Sequence, residues 1–386
     1  MRRTLIAAAL AVLPLAAGAV AVVPVAYLDE TRPAPEVLAG LTPPPADLGR
    51  SGAELAIKDN DTTGKFTGQR FVLKPILLAA NESAASAYAK LAGSGTRLVV
   101  ARLPGATLDK LMQAPQFKNY LWFNAGAPDD RLRQSQCRAN LLHPLPGRAM
   151  QADALAQYLV KRNWKRWYLV YGGTREDALY VAALDRAAKR FGGKIVGRKL
   201  WTLKGDTRGT AQSEIPVFTQ VGDYDVMLVA DEHGAFGDYF PYRTWLPRPV
   251  AGTQGLMAAA WSHTAEQWGA LQLQRRFLRL AKRPMQSEDF AAWAAVRSVG
   301  QAATHTGSAR FEVLSAYIRS DRFTLDAFKG NSLSYRGWNG ELRQPLLVTT
   351  ERALVSVSPQ DGFLHPRTEL DTLGFDAPEV HCRPAP

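Results

Sequence analysis

Short apolar runs alternate with segments of helical spacing along most of this chain. Val22–Leu28, Gln69–Leu77, Arg97–Ala101, Tyr120–Phe123, Arg166–Tyr171, Lys194–Val196, Val226–Ala230 and Pro249–Gly252 read as strands. Between them, Ser51–Asp59 reads as a helix with Ser51 as its N-cap, followed by helices over Ala84–Ala92 and Met150–Leu159. Glu176–Phe191 is a further helix, stopped by Gly192-Gly193. A β-α-β-α rhythm predicts parallel sheets covered by helices.

The rhythm breaks twice. His143-Pro144-Leu145-Pro146-Gly147 interrupts it in mid-chain. After Gly252 a long helical region runs from Thr264 to about Thr304, broken near Arg283-Pro284, and Trp268, Leu271 and Leu278 could share one face of its first helix. The tail beyond Leu333 carries strand-like runs at Pro345–Val348 and Leu354–Val357. Such a chain can form two α/β lobes with the long helical region returning to the first.

The N-terminus bears on compartment. Met1-Arg2-Arg3 precedes an apolar run from Leu5 to Ala17 and two small-x-small patterns, Ala17-Gly18-Ala19 and Ala19-Val20-Ala21. This predicts a signal peptide over residues 1–21 and export to an oxidising space. A membrane anchor is the alternative, since the apolar stretch continues to Leu28. Export makes Cys137 and Cys382 a candidate disulfide, with two buried thiols as the alternative.

The 386 residues carry 47 Lys+Arg against 35 Asp+Glu. Removing Arg2 and Arg3 takes the formal charge from +12 to 12 − 2 = +10. The basic residues are dispersed; Lys161-Arg162, Lys165-Arg166 and Arg275-Arg276 read as solvated helix faces rather than a nucleic-acid surface. The excess could still favour an anionic ligand. No phosphate-binding glycine loop, metalloprotease helix or nucleophile elbow is present, which leaves no catalytic residue to name. Asp59-Asn60-Asp61 resembles the start of a calcium loop, but Arg70 stands where its twelfth-position Glu belongs, so Asp59–Gly68 is expected to be a polar turn and no metal site is expected.

Gly52-Ala53-Glu54-Leu55-Ala56-Ile57-Lys58-Asp59 followed by Thr63-Gly64-Lys65-Phe66-Thr67-Gly68-Gln69 resembles the helix and turn after the first strand of type I periplasmic binding proteins, the branched-chain amino acid receptor group. Phe123–Arg133, Val229–Glu232, Pro241–Trp245, Pro247–Thr253, Trp268-Gly269-Ala270, Trp338–Pro345 and Leu370–Gly374 are similar to the substrate-binding proteins of ABC systems associated with pyrroloquinoline quinone (PQQ)-dependent alcohol oxidation.

The resemblance implies a two-lobed α/β fold of parallel sheets flanked by helices, with three hinge crossovers at His143–Gly147, just after Gly252 and at Lys329–Ser334. Lobe one would span 22–143 plus 256–330, and lobe two 144–255 plus 331–386. Ligand would lie between the lobes, at strand ends. The residues so implied are Glu30, Arg32, Arg102, Leu103, Asn124 and Gly126 on lobe one, and Gly172, Asp231, Glu232, Arg243 and Thr253 on lobe two, with Trp261 as the aromatic candidate. Arg102-Leu103-Pro104-Gly105 stands where amino-acid receptors carry a hydroxyl-rich stretch that holds the ligand's carboxylate. The expected function is a monomeric periplasmic receptor that delivers a small ligand to an inner-membrane ABC permease. PQQ or another anionic aromatic is the candidate cargo, no resident cofactor is required and no nucleic acid is bound. A ligand-sensing receptor subunit and an exported hydrolase are the alternatives.

Overall fold

The computed structural model describes residues 20–32, 44–202 and 207–381. The expected leader lies outside the described residues as far as residue 19, and strand β1 (Ala21–Glu30) begins at Ala21. The side chains of β1 alternate between two apolar layers: Val23, Val25 and Tyr27 enter one core, Ala26 and Leu28 another. A central parallel strand with helices on both faces has this pattern.

Helix α1 (Arg50–Thr67) leads to β2 (Gln69–Leu78), α2 (Ala84–Gly93) to β3 (Leu98–Arg102), α3 (Gly105–Gln113) to β4 (Leu121–Asn124), and the single turn α4 (Arg131–Gln134) to β5 (Leu141–Leu142). These strands form one parallel sheet of order β2-β1-β3-β4-β5. Helix α5 (Arg148–Lys161) opens the second lobe, followed by β6 (Arg166–Tyr171), α6 (Arg175–Phe191), β7 (Lys194–Leu200), α7 (Thr207–Phe218), β8 (Val226–Ala230) and β9 (Val250–Gly252). Its parallel sheet has the order β7-β6-β8-β9. Here too the faces alternate, Val226 and Leu228 to one core, Met227 and Val229 to the other.

Beyond β10 (Met257–Ala259), helices α8 (Ala270–Ala281), α9 (Ser287–Thr306) and α10 (Phe311–Ile318) pack back on lobe one, and α9 lies along α1. Strands β11 (Leu325–Asp326), β12 (Ser332–Tyr335) and β13 (Leu342–Arg343) form a small antiparallel sheet; β14 (Leu346–Thr349) and β15 (Leu354–Ser358) join β10 in another. Core membership marks two changes of lobe, between Leu145 and Met150 and between Ala258 and Ala260, while β14 serves both cores, Leu346 and Val348 in that of lobe two and Leu347 in that of lobe one. The second passage falls later along the chain than the break in the sequence rhythm after Gly252.

Three local expectations need correction. Asp59–Gly68 is not a turn, because α1 runs to Thr67. Its polar groups are bound across the α1–α9 contact: Asn60 Nδ2 donates to the Val296 carbonyl at 2.9 Å, and Trp293 Nε1 to Asp59 at 2.9 Å. Ser51 is not the N-cap. The helix begins at Arg50, preceded by Gly49 at φ 77°, whose N–H donates to Asp289 Oδ1 at 2.7 Å from the start of α9. The face of Trp268, Leu271 and Leu278 is the exposed one; α8 turns Ala270, Leu273, Gln274 and Phe277 inward instead.

Candidate functional site: the cleft between the lobes

In each sheet the winding direction reverses beside the first strand, between β1 and β3 in lobe one and between β6 and β8 in lobe two. The carboxyl ends of strands at such a reversal leave a crevice that no crossover helix fills. Glu30 and Arg102 stand at those ends in lobe one, Gly172 and Asp231 in lobe two.

On lobe one, Arg102 Nη1 reaches Asp29 Oδ2 at 3.0 Å, and Arg32 Nη2 donates to the Arg102 carbonyl at 3.0 Å. Burial and the neighbouring Arg102 charge lower the pKa of Arg32. The loop after β4 brings Asp129 over the first turn of α3, where a methyl on Gly105 would collide with its carboxylate. A carboxylate is favoured there by the free N–H groups and positive end of the helix.

Lobe two answers with Arg148, the first residue of α5. Its Nε and Nη2 each reach a Glu232 oxygen at 2.6 Å, a forked pair, while Nη1 lies 3.6 Å from Asp129 Oδ2. Burial pushes the Glu232 carboxyl up, against the pull of Arg148. Asp130 accepts the Ala149 N–H at 3.0 Å, and burial lifts its carboxyl to about 7. A chain of groups thus crosses from lobe one (Asp129, Asp130) to lobe two (Arg148, Glu232).

Three guanidinium N–H groups on the elements that border the crevice are buried and lack a hydrogen-bond acceptor among the described residues: Arg102 Nε beside Asp29, and Arg131 Nε and Arg148 Nη1 on either side of Asp129. Arg131 Nε is 4.0 Å from Asp129 Oδ1, and Arg148 Nη1 is 3.6 Å from Oδ2, both beyond hydrogen-bond length. Buried donors of this kind are costly unless something accepts from them.

The hinge behind the cleft is centred on Glu341, and there too one buried guanidinium N–H, Arg133 Nε, has no hydrogen-bond acceptor among the described residues. Arg133 Nε stands 3.1 Å from Glu341 Oε1, and Arg336 Nη1 donates to Glu341 Oε2 at 3.0 Å. Arg336 Nε and Arg343 Nε both reach Asp371 Oδ1, at 2.9 and 2.8 Å. Arg133 also donates to the carbonyls of Ala127, Asp129 and Leu145, and Gly147 N–H to Glu341 Oε1 at 3.0 Å. Gly147 must stay small, since a Cβ would lie 2.8 Å from both Arg133 Cδ and Asp130 Oδ1.

Of the residues expected at the site, Arg32, Arg102, Gly126 and Glu232 come together along this crevice. Leu103 is a correction: it is wholly buried in the core that covers the far face of the first sheet. Trp261 is another; its indole N–H donates to Gln274 at 3.0 Å, and its ring stacks on Phe290 within the lobe-one core. Asn124, Glu30, Asp231 and Thr253 spend their polar atoms on loops. Asn124 accepts the Ala127 N–H at 2.8 Å; Glu30 accepts Asn81 N–H and Thr107 Oγ1; Asp231 accepts three N–H groups from Ala235 to Gly237; Thr253 accepts the Asp231 N–H. Gly172 leaves room for Asp177, which caps α6 and accepts the Glu232 N–H at 2.8 Å. Arg243 follows a turn on the lobe-two shoulder, beside exposed Tyr242 and Trp245.

Sequence reading did not single out Asp129, Arg131 or Arg148. A signal existed for Arg148, a cation directly after Pro146-Gly147, where a helix start is expected to favour an anion instead. Cys137 is buried near the Trp338 carbonyl, and Cys382 lies outside the described residues. His381 donates its N–H to the Gln134 carbonyl at 2.9 Å, which brings the chain back to within three residues of Cys137. Among the described residues no cluster of metal-ligating side chains is present, and no helix is long and apolar enough to cross a membrane.

The architecture is that of the type I periplasmic binding proteins, two α/β lobes with parallel sheets flanked by helices. A family model described as periplasmic binding protein matches residues 37–207. The chain is similar in structure to a branched-chain amino acid ABC transporter periplasmic ligand-binding protein from Burkholderia xenovorans (TM-score 0.66, 14% identity, covering 91% of this chain and 96% of that one). It is similar to a leucine-, isoleucine-, valine-, threonine- and alanine-binding protein from Brucella ovis in a closed conformation (TM-score 0.65, 14% identity, 88% and 92% covered). An ABC transporter solute-binding protein from R. palustris in complex with benzoate is a third (TM-score 0.63, 14% identity, 88% and 96% covered). No curated protein sequence is a significant match.

Proposed function

We infer that the chain is a periplasmic solute receptor that hands a small, carboxylate-bearing ligand to an ABC permease, acting as a monomer and without resident cofactor. The observation that carries the ligand class is the set of buried guanidinium N–H groups of Arg102, Arg131 and Arg148, drawn from both lobes and without acceptors among the described residues. A ligand carboxylate would accept from them, and contact with both lobes would favour closure about the crossovers. PQQ, a planar tricarboxylate, is the specific cargo this reading carries forward, as a transported ligand and not as a cofactor. Trp261 offers it no stacking face, so recognition rests on the arginines.

Titration calorimetry with PQQ, benzoate and leucine, paired with small-angle scattering, tests the reading. Saturable binding of a carboxylate ligand with a smaller radius of gyration is expected, and Arg148→Ala should weaken it about tenfold or more. Binding that ignores Arg148→Ala and leaves the radius unchanged would overturn it. Binding of benzoate or leucine but not PQQ would remove PQQ alone.

A further inference from the structure

We propose that the chain carries a second small-molecule site, a groove of about 320 Å³ beside the third crossover that takes a small aromatic carboxylate. The groove lies against β5, the end of α10 and the turn between β12 and β13, and none of the cleft residues lines it. Its volume is within the range of pockets that enclose small organic ligands.

The chemistry of the walls sets the ligand class. Leu142, Tyr335 and Trp338 supply apolar and aromatic surface. Trp338 Nε1 already donates to the Phe375 carbonyl at 3.2 Å, so the residue offers its ring and not its N–H. Arg138 and Arg319 are exposed, and neither has a carboxylate partner among the described residues. No acidic side chain lines the groove.

Asn339 is the anchor. Only 2% of the residue is exposed, and its Nδ2 is buried with no acceptor among the described residues. Its orientation is fixed, because Oδ1 accepts the Glu341 N–H at 3.1 Å. An amide NH₂ buried behind a groove whose rim is cationic and whose lining is polar and apolar in about equal parts asks for an acceptor on a partly apolar body. A carboxylate on a small aromatic ring meets all three demands: one oxygen to Asn339, charge to the arginines, and the ring to Leu142, Tyr335 and Trp338.

Two variants isolate the site without disturbing the turn. Asn339→Asp keeps the oxygen that binds Glu341 N–H but removes the donor and repels an anion. Gly337→Leu fills the groove, since a Cβ at Gly337 meets nothing within 4 Å and its φ lies outside the left-handed region. Crystals of the full chain soaked with 4-bromobenzoate should show an anomalous bromine peak between Asn339 and Trp338. Calorimetry should lose that binding in Gly337→Leu and show it weakened about tenfold or more in Asn339→Asp. Arg148→Ala should leave this site unchanged, which separates it from the cleft. No binding at millimolar 4-bromobenzoate, a bromine peak only in the cleft, or unaltered binding in both groove variants would overturn the proposal.

Discussion

The hinge and the cleft use the same residue types at different depths of burial. At the hinge, Arg133, Arg336 and Glu341 are wholly or almost wholly buried, and Glu341 receives both guanidinium groups as well as the Gly147 N–H. In the cleft, Arg102, Arg131 and Arg148 are also paired, and each keeps one buried N–H without an acceptor among the described residues, as Arg133 Nε does at the hinge. Buried charges that share one counter-charge favour one arrangement of the crossovers. Incompletely satisfied ones leave free energy available to whatever supplies the missing acceptors.

The sharpest break in this comparison is Glu341→Ala. It leaves Arg133 and Arg336 buried without their shared counter-charge, and a loss of about 3–5 kcal/mol is expected in urea denaturation. A loss below about 1 kcal/mol, the usual worth of a surface ion pair, would place the hinge network with solvated charges.

The disulfide should rank next. Thiol counting in denatured, non-reduced protein is expected to find no free thiol from Cys137 and Cys382. Replacing both by Ser should then cost about 2–4 kcal/mol through the freer unfolded chain. Two titratable thiols would end this expectation and leave the hinge to the ionic network alone.

Arg148→Ala probes the cleft side. Glu232 keeps partial access to solvent, its side chain 19% exposed, so a smaller loss of about 1–3 kcal/mol is expected. Removal of the one charge that links Asp129 to Glu232 among the described residues should also raise the radius of gyration of the ligand-free protein. A loss equal to that of Glu341→Ala would erase the distinction between fully buried hinge and partly solvated cleft.

Asp130 sharpens the comparison through pH. Burial raises its carboxyl from 3.8 to about 7, with Arg133 and Arg148 opposing the rise and Glu341 adding to it. A raised folded-state pKa means that the folded protein holds the proton longer than the unfolded chain. The contribution is therefore full below about pH 4 and lost as pH rises through about 7. Asp130→Asn can still accept the Ala149 N–H, so denaturation midpoints at neutral pH should rise relative to wild type and converge with it in acid. An unchanged difference between the two proteins across this range would rule out Asp130 as the titrating group.

The sequence alone determined the architecture, because period-2 and period-3.6 patterns are local and survive without knowledge of contacts. The apolar run of β1, the helix stopped by Gly192-Gly193 and the break near Arg283-Pro284 were all legible in this way. The resemblance to the receptor family, carried onto those strands, implied Arg102 and Glu232 at strand ends beside a crevice. Local logic failed where a residue's role depends on its partner. Asp59-Asn60-Asp61 reads as a turn until Val296 and Trp293 of α9 are seen to bind it. Trp261 reads as a ligand platform until Phe290 and Gln274 enclose it, and Trp268 reads as sharing a helix face with Leu271 and Leu278 although it precedes α8 and is exposed. Only the tertiary structure could bring Asp129 to Arg148 or Arg133 to Glu341, since the pairing of charges far apart in sequence is set by how two lobes and three crossovers close on one another. Spacing along the chain carries no record of that distance.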